Sequence, residues 1–269
     1  MPAMNLHHVR RGAGEPLLLI QGMSGNHEHW GERLLELLER DFDVIAYDHR
    51  GVGWSPGIEK SFTIAELADD AAVLLDRLGV DRAHVLGISM GGMVAQELAL
   101  NHPERVRTLT LGCTYAGGPE GILADSVVFA PMIDALREGV RDGAIRASWE
   151  AYVSAAFSTD AEAYAAFHAT ALRKPTALRV LMLQMRAIAA HDAHLRLAEI
   201  AAPTLIVHGS EDRMLPVING ESIARAMPHA RFERYEGVGH MFWIEQPERT
   251  AALVREHALA GLSSIGGAA

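Results

Sequence analysis

Cysteine is almost missing from this 269-residue chain, where Cys113 stands alone. A single thiol excludes an intrachain disulfide and any thiolate-rich metal site, and the expected compartment is the cytoplasm. Basic residues are also scarce: 24 Lys and Arg stand against 34 Asp and Glu, a formal net charge of −10. Nucleic acid and anionic membrane surfaces repel a chain of that sign, so neither is expected as a partner. No apolar run approaches the roughly 20 residues that span a bilayer. The opening MPAMNLHHVRRGAGEP lacks the basic start, apolar core and small-residue cleavage site of a secretory signal. With 49% of residues hydrophobic and 22% charged, the composition is that of a globular protein with a sizeable core. Such a protein suits a small, neutral or weakly polar ligand.

Short apolar runs alternate with longer amphipathic ones, the pattern of a parallel sheet covered by helices. Strands are expected at Leu17 to Gly22, Phe42 to Tyr47, His84 to Ile88, Val106 to Leu111, Pro203 to Gly209 and Ala230 to Tyr235, and Met4 to Arg11 can supply one more. Helices are expected at His27 to Arg40, Thr63 to Leu78, Gly91 to Asn101, Val217 to Met227 and from Pro247 to about Leu262; Thr63 and Glu66 are spaced as a capping box. From Gly117 to Ala202 the alternation stops, and alanine-rich helical segments (Ser148 to Phe157, Ala161 to Leu172, Thr176 to Ala190) take over. The expected organisation is a core of residues 1–116 and 203–269 with a helical insertion, 117–202, over one edge of the sheet.

The stretch His84-Val-Leu-Gly-Ile-Ser89-Met-Gly-Gly92 places one serine between a strand and a helix. A serine on such a turn is forced into an unusual backbone conformation that exposes its hydroxyl above the sheet edge, and glycines on either side let neighbouring backbone pass. The next helix points its N-terminus at the site, so the Met90 N–H is placed to bind a developing oxyanion. Partners come downstream in the order acid, then histidine. Gly209-Ser-Glu211-Asp212 carries two acids after a strand, and His240 sits in a glycine-flanked loop after the last strand.

Together, Gly22-Met23, Asp48-His-Arg50-Gly-Val-Gly53-Trp-Ser55, Gly87-Ile-Ser89-Met-Gly91-Gly92, Gly209-Ser-Glu-Asp212 and Gly239-His240 make the chain resemble an α/β-hydrolase-fold protein along nearly its full length. The resemblance implies a mostly parallel central sheet flanked by helices, with an all-helical cap. It implies Ser89 as nucleophile, His240 as base and Asp212, three residues after Gly209, as the orienting acid. The backbone N–H groups of Met23 and Met90 would form the oxyanion hole, and neither metal nor organic cofactor is needed. The chain departs from the family pattern twice. Gln21 stands where many members have histidine, leaving open how that loop is braced, and only one strand fits before the Gly12-Ala-Gly14 turn.

The activity so implied is that of a serine esterase, a carboxylesterase or a lactonase acting on small esters. The same triad serves carbon–carbon hydrolases of ring-fission diketones and cofactor-free perhydrolases (haloperoxidases), and a ligand-binding protein can use the fold without catalysis. Epoxide hydrolases and haloalkane dehalogenases carry aspartate at the elbow, where this chain has Ser89. Met132, Trp149, Met182 and Met185 in the insertion, and Met241 beside His240, are candidates for an adaptable apolar pocket. An apolar patch on the insertion would serve a homodimer as readily as a substrate entrance. The remaining clusters read as structural: His27-Glu28-His29 opens a helix without a third ligand, Asp48 and Arg50 brace their turn as an ion pair, and Asp69-Asp70 lies on a solvated helix face.

Overall fold

A computed structural model of the chain describes residues 5–58, 60–123 and 126–265. Seven strands form one sheet: β1 (His8–Gly12), β2 (Glu15–Ile20), β3 (Phe42–Tyr47), β4 (Ala83–Ile88), β5 (Val106–Gly112), β6 (Thr204–Gly209) and β7 (Arg231–Tyr235). Their order across the sheet is β1-β3-β2-β4-β5-β6-β7, and every pairing is parallel except β1 with β3. Among the described residues, one strand precedes the turn at Gly12. The five inner strands are largely apolar because both faces are covered; in β3, β4 and β6 every residue is buried.

The helices are α1 (Glu32–Leu38), α2 (Ile64–Arg77), α3 (Met90–Asn101), α4 (Ser126–Arg137), α5 (Arg141–Tyr152), α6 (Ala161–Arg173), α7 (Leu178–Ala189), α8 (Ile218–Ala226), α9 (Phe242–Glu245) and α10 (Pro247–Ile265). On one face of the sheet α2, α3 and α8 pack through Leu67, Leu75, Met93, Leu98 and Ile223; on the other, α1 and α10 pack through Leu34, Leu38, Val254 and Ala258. Helix α2 begins on the expected capping box. Thr63 Oγ1 accepts from Glu66 N at 3.1 Å while Glu66 Oε2 accepts from Thr63 N at 2.8 Å, an arrangement worth about 1 kcal/mol.

Three elements differ from the pattern-based expectation, each for a local reason. His27 to Arg40 is not one helix: a 3-10 turn, His27–Trp30, ends at Gly31, whose φ of 75° interrupts the ladder before α1. The helix expected at Ser148 to Phe157 starts earlier, as α5, and stops at Tyr152. Val153 is extended and the N–H of Ser154 is claimed by Glu245 Oε1 at 2.9 Å. Helix α4, with Pro131 inside it, carries no signal of its own that stood out among the alanine-rich segments.

The strand order reverses direction at β2, which has β3 on one side and β4 on the other. At such a switch point the loops leaving neighbouring strands diverge and open a crevice at their C-terminal ends. The loops in question carry Met23 and Ser89.

Candidate active site

Ser89 occupies the turn between β4 and α3 with φ 54° and ψ −124°, a conformation that L-residues rarely adopt. Both of its backbone groups are tied to the C-terminal end of β5 and the residues just beyond it. Its N–H donates to Gly112 O at 2.9 Å, and its carbonyl accepts from Thr114 Oγ1 at 2.7 Å. Neighbouring glycines permit the turn: a Cβ on Gly91 would lie 2.0 Å from Ile20 O, and one on Gly22 would lie 3.0 Å from Ser89 Cβ. The backbone of the β2 loop thus runs directly beside the serine side chain. Met90, first residue of α3, has an N–H that helix geometry leaves without an intrahelical acceptor.

Gln21 braces that loop from within. Its Oε1 accepts from Gly22 N at 2.8 Å, and its carbonyl O lies 3.0 Å from His49 Nε2. The loop is also held from above, since Ser24, at φ 61°, donates its N–H to Gln184 Oε1 of α7 at 2.9 Å.

Of the two acids after β6, Glu211 is exposed and Asp212 is buried. Asp212 Oδ1 accepts from the N–H groups of Met214 and Leu215 at 2.8 and 2.9 Å, and Oδ2 lies 2.7 Å from His240 Nδ1. Burial works to raise the Asp212 pKa, but the charge of His240 and the hydrogen bonds from His208 and His240 outweigh it and hold the group well below the ordinary carboxylate range. An ionised carboxylate only accepts, so His240 Nδ1 carries a hydrogen and turns it toward Asp212. The His240 loop is fixed by Glu245, whose Oε1 accepts from Gly239 N at 2.8 Å and Ser154 N at 2.9 Å, with Oε2 taking Ser154 Oγ at 2.6 Å. Burial raises the Glu245 pKa, opposed by those bonds from Ser154 and Gly239.

Ser89 and His240 line one cavity of about 290 Å³. Gly22 and Met23 also line it, with Ile145, Ser148, Tyr152, Phe167 and Leu181 from α5, α6 and α7, and Met214, Met241 and Trp243. Among the described residues no Asp or Glu lines this space, and Lys174 is its one lysine or arginine. A larger groove of about 820 Å³ lies between α1, α6 and α9 and shares His29, Phe167, Met241 and Trp243 with the first, but it touches none of Ser89, Asp212 and His240.

The apolar pocket expected from the methionines needs correction. Met182 and Met185 are 62% and 53% exposed on the outer side of α7, because the helix turns Val180, Gln184 and Ala187 inward instead. Trp149 is fully buried, donates Nε1–H to Ser158 O at 3.0 Å and packs on Phe157, Tyr164 and Phe167, so it supports the larger groove and not the Ser89 cavity. Met132 lies outside the residues whose side chains are described. Met241 does line the cavity, joined by Met23 and Met214. Tyr152, whose ring centroid is 6.1 Å from that of His240, was not singled out by sequence; its place at the end of an irregular helix gave no sign.

The clusters read as structural differ in detail. Arg50 pairs with Asp70 at 2.6 Å, not with Asp48, which makes Asp70 a half-buried partner and leaves Asp69 on the solvated face. Asp48 instead accepts from His27 N at 2.7 Å, His27 Nδ1 at 2.9 Å and Trp54 N at 2.9 Å. Ligand atoms of His7, His27 and Asp48 come within 4.8 Å of one another, as do those of Cys113, Asp212 and His240. In both groups the carboxylate is already committed to hydrogen bonds, which argues against metal ligation.

A mostly parallel sheet of this order, with a strained serine at the switch point, matches the family model for the alpha/beta hydrolase fold across residues 15–182 and 183–247. The chain belongs to the α/β-hydrolase fold family. Among α/β hydrolases it is 31% identical over 253 residues to a protein of Azorhizobium caulinodans named as a carbamate hydrolase, RutD, with 91% of each chain covered. A thermophilic esterase from Thermogutta terrifontis superimposes with a TM-score of 0.79 at 27% identity, covering 96% of this chain and 94% of the other. Est816, described as an N-acyl homoserine lactone degrading enzyme, superimposes at 0.75 with 28% identity, covering 95% and 98%. As an α/β hydrolase the protein is a hydrolase; among its described residues, no helix is long and apolar enough to cross a membrane.

Proposed function

We propose that the protein is a serine hydrolase of small carboxylic esters or lactones, working through an acyl-enzyme on Ser89. The observation that carries this reading is the hydrogen bond of 2.7 Å between His240 Nδ1 and Asp212, which turns Nε2 free for a cavity that also exposes Ser89. In the reaction, Ser89 Oγ attacks the carbonyl carbon as its proton passes to His240 Nε2. The oxyanion is received by the N–H groups of Met23 and Met90. The leaving alcohol departs with the proton from His240; in a lactone it stays tethered as the hydroxyl of the opened acid. Water then gives a proton to His240 and its oxygen to the acyl carbon, and Ser89 is released with its proton restored. Residues 117–202 form a lid over Ser89 in this reading, and the mostly apolar lining favours uncharged acyl groups. No metal or organic cofactor takes part.

A carbamate carbonyl presents the same target to Ser89, and the name carried by the relatives favours it as a second reading. The deciding experiment is turnover of p-nitrophenyl esters of increasing acyl length, of simple lactones and of ethyl carbamate, by wild type, Ser89→Ala and Asp212→Asn. Ester turnover lost in Ser89→Ala and reduced by several orders of magnitude in Asp212→Asn is the expected result. Ammonia release from the carbamate with no ester turnover would replace the first reading by the second. Near-normal activity in Asp212→Asn would refute the assignment of the acid.

A further inference from the structure

Asp212 has a second histidine beside it. His208, the penultimate residue of β6, is fully buried, and its Nε2 lies 2.6 Å from Leu215 O and 3.2 Å from Asp212 Oδ2. Both neighbours are acceptors, so the ring hydrogen must be on Nε2 and pointing at them. Nδ1 faces α8, where a Cβ on Gly220 would come within 2.6 Å of it, and it has no hydrogen-bond partner among the described residues. The ring therefore has one polar hydrogen, which bonds to Leu215 O and has Asp212 Oδ2 as its second neighbour.

Leu215 closes a small circuit. Its carbonyl receives the His208 hydrogen while its N–H donates to Asp212 Oδ1 at 2.9 Å. Met214 N holds the same oxygen at 2.8 Å. The other oxygen has His240 Nδ1 at 2.7 Å and His208 Nε2 at 3.2 Å. Rotation of the carboxylate about its Cβ–Cγ bond would break contacts at both oxygens at once.

We infer that His208 is a positioning residue for Asp212: through Nε2–H it fixes the carboxylate plane and the loop Met214–Leu215, and so the orientation of His240. The inference rests on the proposed Ser89–His240–Asp212 mechanism for its consequence in turnover. Its geometric content concerns the Asp212–His240 hydrogen bond alone. Without His208, Oδ2 keeps a single partner and becomes the stronger acceptor toward His240, while the loop holding Oδ1 loses an anchor.

The test compares wild type with His208→Leu, which removes the donor at similar volume, and His208→Gln, whose amide N–H reaches to about the position of Nε2. The first readout is the downfield proton resonance of the His240–Asp212 hydrogen bond, recorded without substrate. It is expected to shift or broaden away in His208→Leu and to return toward its wild-type position in His208→Gln. The second is the split between kcat and KM on p-nitrophenyl acetate: kcat falls about tenfold or more in His208→Leu with KM nearly unchanged, and His208→Gln recovers most of it. An unmoved resonance in folded His208→Leu, or equal impairment of both variants, would overturn the assignment. Should His208→Leu fail to fold, His208→Gln decides alone, since a purely space-filling role would leave it with no better geometry at Asp212 than His208→Asn, whose N–H is too short to reach. If wild type turns over no ester, the resonance still reports on His208, so failure of the activity reading and failure of this inference are told apart.

Discussion

The backbone N–H of Ser24 donates to Gln184 Oε1 at 2.9 Å across 160 residues of sequence. Thr176 Oγ1 takes up the Ser24 carbonyl at 3.0 Å. The segment between β5 and β6 thus grips both backbone groups of the residue next to Met23. Gln184 is completely buried, so its removal cannot be made good by water. Gln184→Ala is expected to lower kcat on p-nitrophenyl butyrate about tenfold, the scale of a displaced oxyanion donor, whereas Gln184→Glu, which keeps the acceptor, should retain more activity. Equal kcat in wild type and Gln184→Ala would show that the loop holds its shape unaided.

Glu245 joins two parts of the chain that are distant in sequence. Three donors from Gly239 and Ser154 converge on its carboxylate. Glu245→Ala leaves them unpaired in a buried place, which at about 1 to 3 kcal/mol for each unsatisfied group should lower the melting temperature by many degrees. Ser154→Ala removes only the hydroxyl and should cost about 1 kcal/mol. Thermal unfolding of both variants checks the ordering.

Gly91 has Ile20 O where a side chain would begin. Gly91→Ala must push the β2 strand end away from α3, at an expected cost of more than about 2 kcal/mol. Urea unfolding measures it, and a cost near zero would mean that the two elements separate easily.

Acid should destabilise the protein earlier than carboxylate titration would. His29, His84 and His191 each have a pKa pushed down to about 4, burial being the largest cause. Between the ordinary value of 6.5 and 4, the unfolded chain binds protons that the folded one refuses, so stability falls as pH falls through that window. His84→Asn retains a partner for Thr108 Oγ1, 2.9 Å from Nδ1, while removing one titrating group. A melting temperature that declines from pH 6.5 to 4, less steeply in His84→Asn, is the expected result. A flat profile would show that these rings are protonated in the folded state.

Much of this arrangement is legible in the sequence because two constraints are local. A strand covered on both faces needs an unbroken apolar run, as in FDVIAY at Phe42–Tyr47, and a serine between such a run and a glycine-rich helix start is forced onto a tight turn. The cavity walls obey a different rule. In α7, helical register and not residue type decides which side chains face inward, so Gln184 points to the core while Met182 and Met185 point to solvent. His208 is invisible for another reason: it is one of fourteen histidines and sits inside a strand pattern, and only the fold of the next seven residues brings Asp212 and Leu215 around to its ring.

Under the proposed mechanism, the backbone at Ser89 sets the interests of folding against those of chemistry. At φ 54° the position suits glycine better than any residue with a Cβ, and Ser89→Gly is expected to melt above wild type while hydrolysing nothing. A library of variants screened only for heat resistance would therefore drift toward glycine there, and the enzyme would be lost by improvement. Thermostabilising this protein calls for position 89 to be held constant from the outset.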